Sequence, residues 1–224
     1  MKYCNIDTDY TPKITGKRDG DVAVVKNKGS FSNKEQEKEF DDFFIANYKE
    51  KNRVLLSDFR LFDTKNRFTI TYFPKTKSIK QLDFMAFGPY EHGLQFLVTQ
   101  KVYDIISKYR LPPHNKIPAK IDTFTQCYYL VGFPMLPKNA YDFNKSTFFD
   151  YKNGIQVKFQ GVEDYETANY DRIAAKPQRL FLKARIQYDI IKTTTGVFFS
   201  SAIIKEFEKY NITGYRIIEG ILET

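Results

Sequence analysis

Two segments of this chain are written to nearly the same plan. Residues 99–117 read TQKVYDIISKYRLPPHNKI, and residues 200–217 read SSAIIKEFEKYNITGYRI. In register, Thr99 aligns with Ser200, Val102 with Ile203, Ile106 with Phe207, Lys108 with Lys209, Tyr109 with Tyr210 and Leu111 with Ile212. The first copy places Val102, Ile105, Ile106 and Tyr109 on one helical face; the second places Ile203, Ile204, Phe207 and Tyr210 there. Thr99 and Ser200 supply oxygen-bearing caps, each worth about 1 kcal/mol against alanine. Pro112 and Pro113 end the first helix by removing backbone donors, whereas Asn211 can take the left-handed cap that ends the second. Each copy leads into a strand. A strand–helix–strand unit is therefore expected twice, with both helical stripes buried against sheet.

The remaining segments mostly alternate in the manner of strands. KYCNID, VAVVK, RVLLSDFRLF, RFTITYF, LDFMAF, KIPAKID and CYYLVGF all read as extended. STFFDYKNGIQVKF carries a hairpin signal at Asn153-Gly154, and RLFLKARIQYDIIK holds one or two strands. In SNKEQEKEFDDFFIANYKE the period changes to helical. Ser32 or Asn33 can cap, acids fill the first turns, and Phe40, Phe43, Phe44 and Tyr48 form a stripe. VEDYETANY is read as a short helix. The expected fold is α+β, mostly antiparallel sheet with three or four short helices. No Gly-, Pro- or Ser-rich linker divides the chain. It is read as a single domain over residues 1–224, with any bilobed division falling softly near residue 95.

Composition narrows the function by exclusion. The chain has 224 residues, 42% of them hydrophobic, with 21 Phe, 16 Tyr and no Trp. That suits a globular, sheet-rich protein and excludes a disordered one. The formal charge of +8 admits nucleic acid or an acidic protein as partner, but no run of five or six like charges marks a nucleic-acid tail. Two cysteines cannot build a disulfide framework, and no apolar stretch reaches the length of a membrane span or signal core. A cytoplasmic protein without membrane contact is expected.

Chemistry-bearing motifs are not found. His92 and His114 lack a second His or Cys at metal-ligand spacing, and each reads as a surface loop residue. Asp41-Asp42 lies on the outer face of an amphipathic helix, and Glu163-Asp164 sits at a helix start. The sequence has no phosphate loop, dinucleotide fingerprint, nucleophile elbow or zinc-protease motif. Ser200-Ser201 is explained by capping, and Cys127 lies within an apolar run. No catalytic residue, cofactor or metal is expected.

GVFFSSAIIKEFEKYNITGYRII (196–218) resembles a motif of immunity proteins from bacterial polymorphic toxin systems: a short strand, a serine, a helix and a Gly-Ile-Thr-Gly-like turn into a last strand. Phe198, Phe199, Ser200, Ile203, Phe207, Ile212, Thr213 and Gly214 match it, with Asn211 in place of the first glycine. LQFLVTQKVYDIISKYRLPPHNKIPAKI, YYLVGFPMLP and STFFDY are similar to segments of Bacteroidetes-type members, so the resemblance spans residues 95–220. It implies a non-catalytic α+β protein that binds and neutralises a cognate toxin domain. Given the basic charge, that toxin would offer acidic surface patches. The matched positions are structural, so no binding residue carries over. Aromatics in polar turns supply the candidate contacts: Tyr90, Glu91 and His92 in GPYEHG, and Tyr141 and Phe143 in PKNAYDFN. The alternative from another class is a basic nucleic-acid-binding module, for which the interleaving of aromatic and basic residues gives little support.

Overall fold

The computed structural model describes residues 2–18, 21–47, 54–64, 68–91, 93–170 and 175–223. Strands of the first half are β1 (Lys2–Thr8), β2 (Val24–Val25), β3 (Ile70–Pro74), β4 (Phe84–Met85), β5 (Phe87–Gly88), β6 (Phe96–Thr99), β7 (Asn115–Ile121) and β8 (Tyr128–Gly132). Those of the second are β9 (Thr147–Asp150), β10 (Ile155–Val157), β11 (Ala175–Phe181), β12 (Ile190–Thr193), β13 (Gly196–Ser200) and β14 (Tyr215–Glu223). The α-helices are α1 (Pro12–Thr15), α2 (Lys34–Asp41), α3 (Gln100–Ile106), α4 (Val162–Tyr170) and α5 (Ser201–Lys209). The fold is α+β. Among the described residues the α-helices number five rather than three or four, because Pro12 starts one extra turn in a segment read as loop.

The strands form two seven-stranded sheets, ordered β4-β6-β8-β7-β3-β2-β5 and β12-β13-β1-β14-β11-β9-β10. Both are mixed. In each, the first three ladders are antiparallel, the fourth is parallel and the fifth antiparallel. Only the sixth differs, with β2–β5 parallel and β9–β10 antiparallel. Position by position, β6-α3-β7 in one sheet therefore corresponds to β13-α5-β14 in the other. The repeated segments occupy equivalent places. The slot that β8 fills in the first sheet is filled in the second by β1, drawn from the other end of the sequence.

Three apolar clusters follow the same plan. One packs α2 against the first sheet through Phe40, Phe44, Ile70, Tyr72 and Leu97. Another packs α4 against the second sheet through Phe148, Phe159, Tyr165 and Leu180. The cluster between them joins the stripes of α3 and α5: Val102, Ile105 and Ile106 meet Ile203, Ile204 and Phe207, with Phe84 and Phe96 from one sheet and Ile6 and Phe199 from the other. Tyr210 departs from the expected stripe and is exposed. Its position at the helix exit leaves its carbonyl to accept from Lys101 Nζ at 2.8 Å.

Around this junction the two halves clasp each other reciprocally. Asp83, just before β4, accepts from the backbone N–H of Thr213 after α5 at 3.0 Å. Asp189, just before β12, accepts from the backbone N–H of Arg110 after α3 at 3.0 Å. The backbone of Thr99 donates to the Asp83 carbonyl (2.9 Å), and that of Ser200 to the Asp189 carbonyl (2.8 Å). Gly214 completes the first clasp. It takes a left-handed φ of +81°, and a Cβ there would lie 2.2 Å from the Phe84 carbonyl oxygen.

Local expectations fared unevenly. Thr99 caps α3 through Val102, but Ser200 makes no capping bond; its hydroxyl is buried without a hydrogen-bond partner. Asn211 takes the left-handed conformation foreseen, at φ 50°. Asn33 caps α2 by accepting from Gln36 N at 2.9 Å, and the helix runs on into a π-helical turn over Asp42–Asn47. Tyr48, expected on its stripe, lies outside the described residues. The hairpin at Gly154 forms, with Asp150 Oδ1 accepting from the backbone of Lys152 and Asn153. The described part of RVLLSDFRLF, residues 54–62, is not a strand. Among its described residues only Leu55 makes a bridge, to Met135, and the chain then turns so that Phe62 enters the core from coil, its N–H held by Asn115 Oδ1 at 2.7 Å. Hydrophobic content without a neighbouring strand to pair with produced a packed loop.

Candidate interaction site

Beside α2 and its π-helical extension lies an open cleft of ≈ 710 Å³. Among the described residues its walls carry the carboxylates of Glu35, Glu39, Asp42 and Asp63, with Lys38 as the one ammonium. Its apolar lining is Phe43, Leu61 and Phe62. The helix dictates this arrangement. Positions 35, 39 and 42 recur at i, i+4 and i+7 on one face, while Phe40 and Phe44 turn to the core. The π-helical turn sets Phe43 beside Phe44, and Phe43 packs edge-on against Phe62 at 5.1 Å. Leu61 and Ile45 remain exposed, at 61% and 46%. Next to the cleft wall, burial raises the Asp41 carboxyl above its usual range, and the charges of Glu37 and Asp42 add to this while Lys26 opposes it. A negative groove with an apolar lining sits on a chain of net charge +8.

The residues singled out from sequence are dispersed by the fold. Tyr141 and Phe143 are core residues, 2% and 5% exposed. Tyr141 OH accepts from Thr194 N at 3.2 Å, and Phe143 stacks on Phe148 with centroids 5.8 Å apart. Their turn is polar in sequence but lies over α4 and β9, so both rings fold inward rather than reach a partner. Glu91 is buried too, paired with Lys26, whose ammonium also sits 4.7 Å from the Phe40 ring centroid. Together with burial, the Glu91 charge pushes the Tyr72 phenol well above its ordinary range. Tyr90 is exposed, at 63%. His92 lies outside the described residues.

His114 is not a surface loop residue. It wedges beside Tyr103 and Phe133. Because the Pro112 carbonyl can only accept, the contact at 2.9 Å puts the proton on Nδ1, leaving Nε2 to accept from Tyr103 OH at 3.0 Å. Burial lowers its pKa, as does the nearby Lys116 charge, against the Pro112 hydrogen bond. Lys116 itself is held 3.8 and 4.0 Å from the ring centroids of Tyr103 and Tyr129. Cys127, placed by sequence inside an apolar run, is exposed, and both cysteines are free.

Sequence reasoning passed over the cleft because the acids of α2 read as a solvated face. The available signal was the i, i+4, i+7 run of Glu35, Glu39 and Asp42. What closes the groove, Leu61 and Phe62 with the following Asp63, comes from the end of the segment taken for a strand and the residue after it. No described helix is long and apolar enough to cross a membrane. No family model matches the chain, and no curated protein matches it either.

Proposed function

We propose that this chain is a non-catalytic, cytoplasmic immunity protein that binds and neutralises a cognate toxin domain, and that the toxin docks at the cleft beside α2. The cleft carries the reading: exposed Leu61 with lining Phe43 and Phe62, flanked by carboxylates, has the apolar centre and charged rim of a protein-binding surface. The resemblance over residues 95–220 supplies the toxin as the class of partner. Whole-chain charge favours a partner with acidic patches, but the local charge of the cleft favours one that presents lysine or arginine. The same carboxylates would repel phosphate, which argues against the nucleic-acid alternative.

The test is co-expression with the toxin domain encoded beside this chain's gene, with growth and complex formation as readouts. Rescue together with an interface of about 1,600 Å² is expected. Leu61→Arg should leave the fold intact and weaken binding by about tenfold or more, since an exposed anchor is lost and a repelling charge gained. Absence of both rescue and complex would refute the immunity reading, and salt-sensitive binding to nucleic acid would put the alternative in its place. Full rescue by Leu61→Arg would move the interface away from the cleft.

A further inference from the structure

The two rims of the second sheet differ. Along the β12 rim a loop lies in place: Leu136 N donates to the Lys192 carbonyl at 2.8 Å, and Met135 bridges the same residue. At the opposite rim β10 pairs with β9, and among the described residues no further backbone group meets Ile155, Gln156 or Val157. A row of outward N–H and C=O groups is a template for another strand. The side chains of β10 are sorted by face. Ile155 and Val157 stand opposite Asp150 and Phe148, on the face that packs under α4. Val157 is half-buried there, whereas Ile155 is 53% exposed. Gln156 points to the other face. Lys152 and Lys158 are exposed at the two ends of the strand, and among the described residues neither forms an ion pair. Asp150 is engaged by its own turn, accepting from the backbone of Lys152 and Asn153 and from Asn153 Nδ2 at 2.8, 3.2 and 2.6 Å. Asp164 accepts from Gln160 N at 2.9 Å, with Glu163 beside it in the first turn of α4.

We propose that β10 docks an extended acidic segment of a partner protein, which adds to the edge of the second sheet as a further strand. Backbone bonds to β10 hold the segment, and its alternate side chains set the fit. Two apolar side chains on the α4 face lie beside Ile155 and Val157 and widen the apolar cluster there. Acidic side chains at the ends of the segment meet Lys152 and Lys158. Charge selects this occupant over a second copy of the chain. Pairing β10 with its own copy would bring four lysines to one short joint, and lysines at a sheet edge guard it against its own kind. The same charges favour a strand of opposite sign. A ladder of three residues makes the contact weak and readily exchanged. The edge is separate from the cleft beside α2, which packs on the first sheet, so the proposal does not rest on the toxin reading.

The experiment titrates the intact chain into a fluorescent peptide, acetyl-Glu-Val-Thr-Val-Glu-amide, whose charge pattern reads alike in either strand direction, and follows anisotropy. This peptide should bind about tenfold more tightly than its counterpart with Lys in place of both Glu. N-methylation of its backbone amides should abolish binding, because strand addition needs those donors and a contact made by charge alone does not. In the doubly substituted chain Lys152→Glu, Lys158→Glu, with the fold checked by circular dichroism, the preference should reverse to the lysine peptide. Absence of binding at millimolar acidic peptide, binding indifferent to N-methylation, or a preference unchanged in the charge-swapped chain would overturn the proposal. Self-association of the chain that Ile155→Glu removes would give the edge to a second copy instead. Equally tight binding of a single-stranded oligothymidylate would assign the lysines to phosphate, and either result also overturns it.

Discussion

Truncating Asp83 removes the hub of one of the two clasps and tests whether the halves are locked together as the geometry indicates. Its carboxylate accepts three hydrogen bonds, from Thr99 Oγ1 at 2.9 Å and from Thr213 N and Oγ1 at 3.0 Å each. The side chain is 7% exposed. Bonds to a charged acceptor are worth roughly 1.5–3 kcal/mol each when one partner is deleted. The three share an acceptor and two of them share Thr213, which is exposed, so their sum overstates the loss. Asp83→Ala should therefore cost about 3 kcal/mol. Asp189, in the equivalent place, receives Arg110 N at 3.0 Å and an arginine head group at 3.7 Å that is 61% exposed and adds little. Asp189→Ala should cost about 1 kcal/mol. Urea unfolding of the wild type and both variants reads these values from the midpoints, provided the slopes agree. Equal losses at the two sites, or a loss below about 1 kcal/mol at Asp83, would refute the account.

Lys192→Met should stabilise the fold at pH 7 by up to about 3 kcal/mol, because a lysine whose pKa falls from 10.5 to about 8 on folding is strained by its charge. The unfolded chain binds the extra proton between those values, so wild-type stability should climb with pH across that window and the gap to the variant should close; a gap independent of pH would contradict it. His114 should titrate below its ordinary 6.5, and the stability it contributes should fade as pH drops below 6.5; an NMR midpoint at or above 6.5 would be incompatible with its burial. Gly214→Ala should cost more than about 2 kcal/mol, since it combines a left-handed φ with a Cβ that meets the Phe84 carbonyl, and an unchanged melting temperature would show that the clasp can relax.

The repeat was legible in sequence only where both copies face the same neighbours. Val102, Ile106, Ile203 and Phe207 all enter the junction cluster, so the same pattern of apolar positions serves both helices. Elsewhere equivalent strands meet different surroundings, and their sequences share no visible register. Ser200 shows how far local pattern reaches. It occupies the place of Thr99 and its backbone N–H donates the matching bond, yet its hydroxyl makes no capping bond. A cap is specified by residue type, but its hydrogen bond is decided by the angle at which the chain enters the helix.

Periodicity and capping determined most of the elements of this protein, because those signals act over a few residues: the amphipathic faces of α2, α3 and α5, the left-handed Asn211, and the alternation of β7 and β8. Only the tertiary structure decided which strands are neighbours, since β1 reaches its place between β13 and β14 across nearly the whole chain. It also decided which aromatics are covered. Tyr141 and Phe143 sit in a polar turn by sequence, but α4 and β9 close over them. The cleft arises in the same way, from carboxylates on one helix and apolar side chains on a distant loop. Local sequence sets what a segment can be, whereas burial and local charge are properties of segments brought together from far apart.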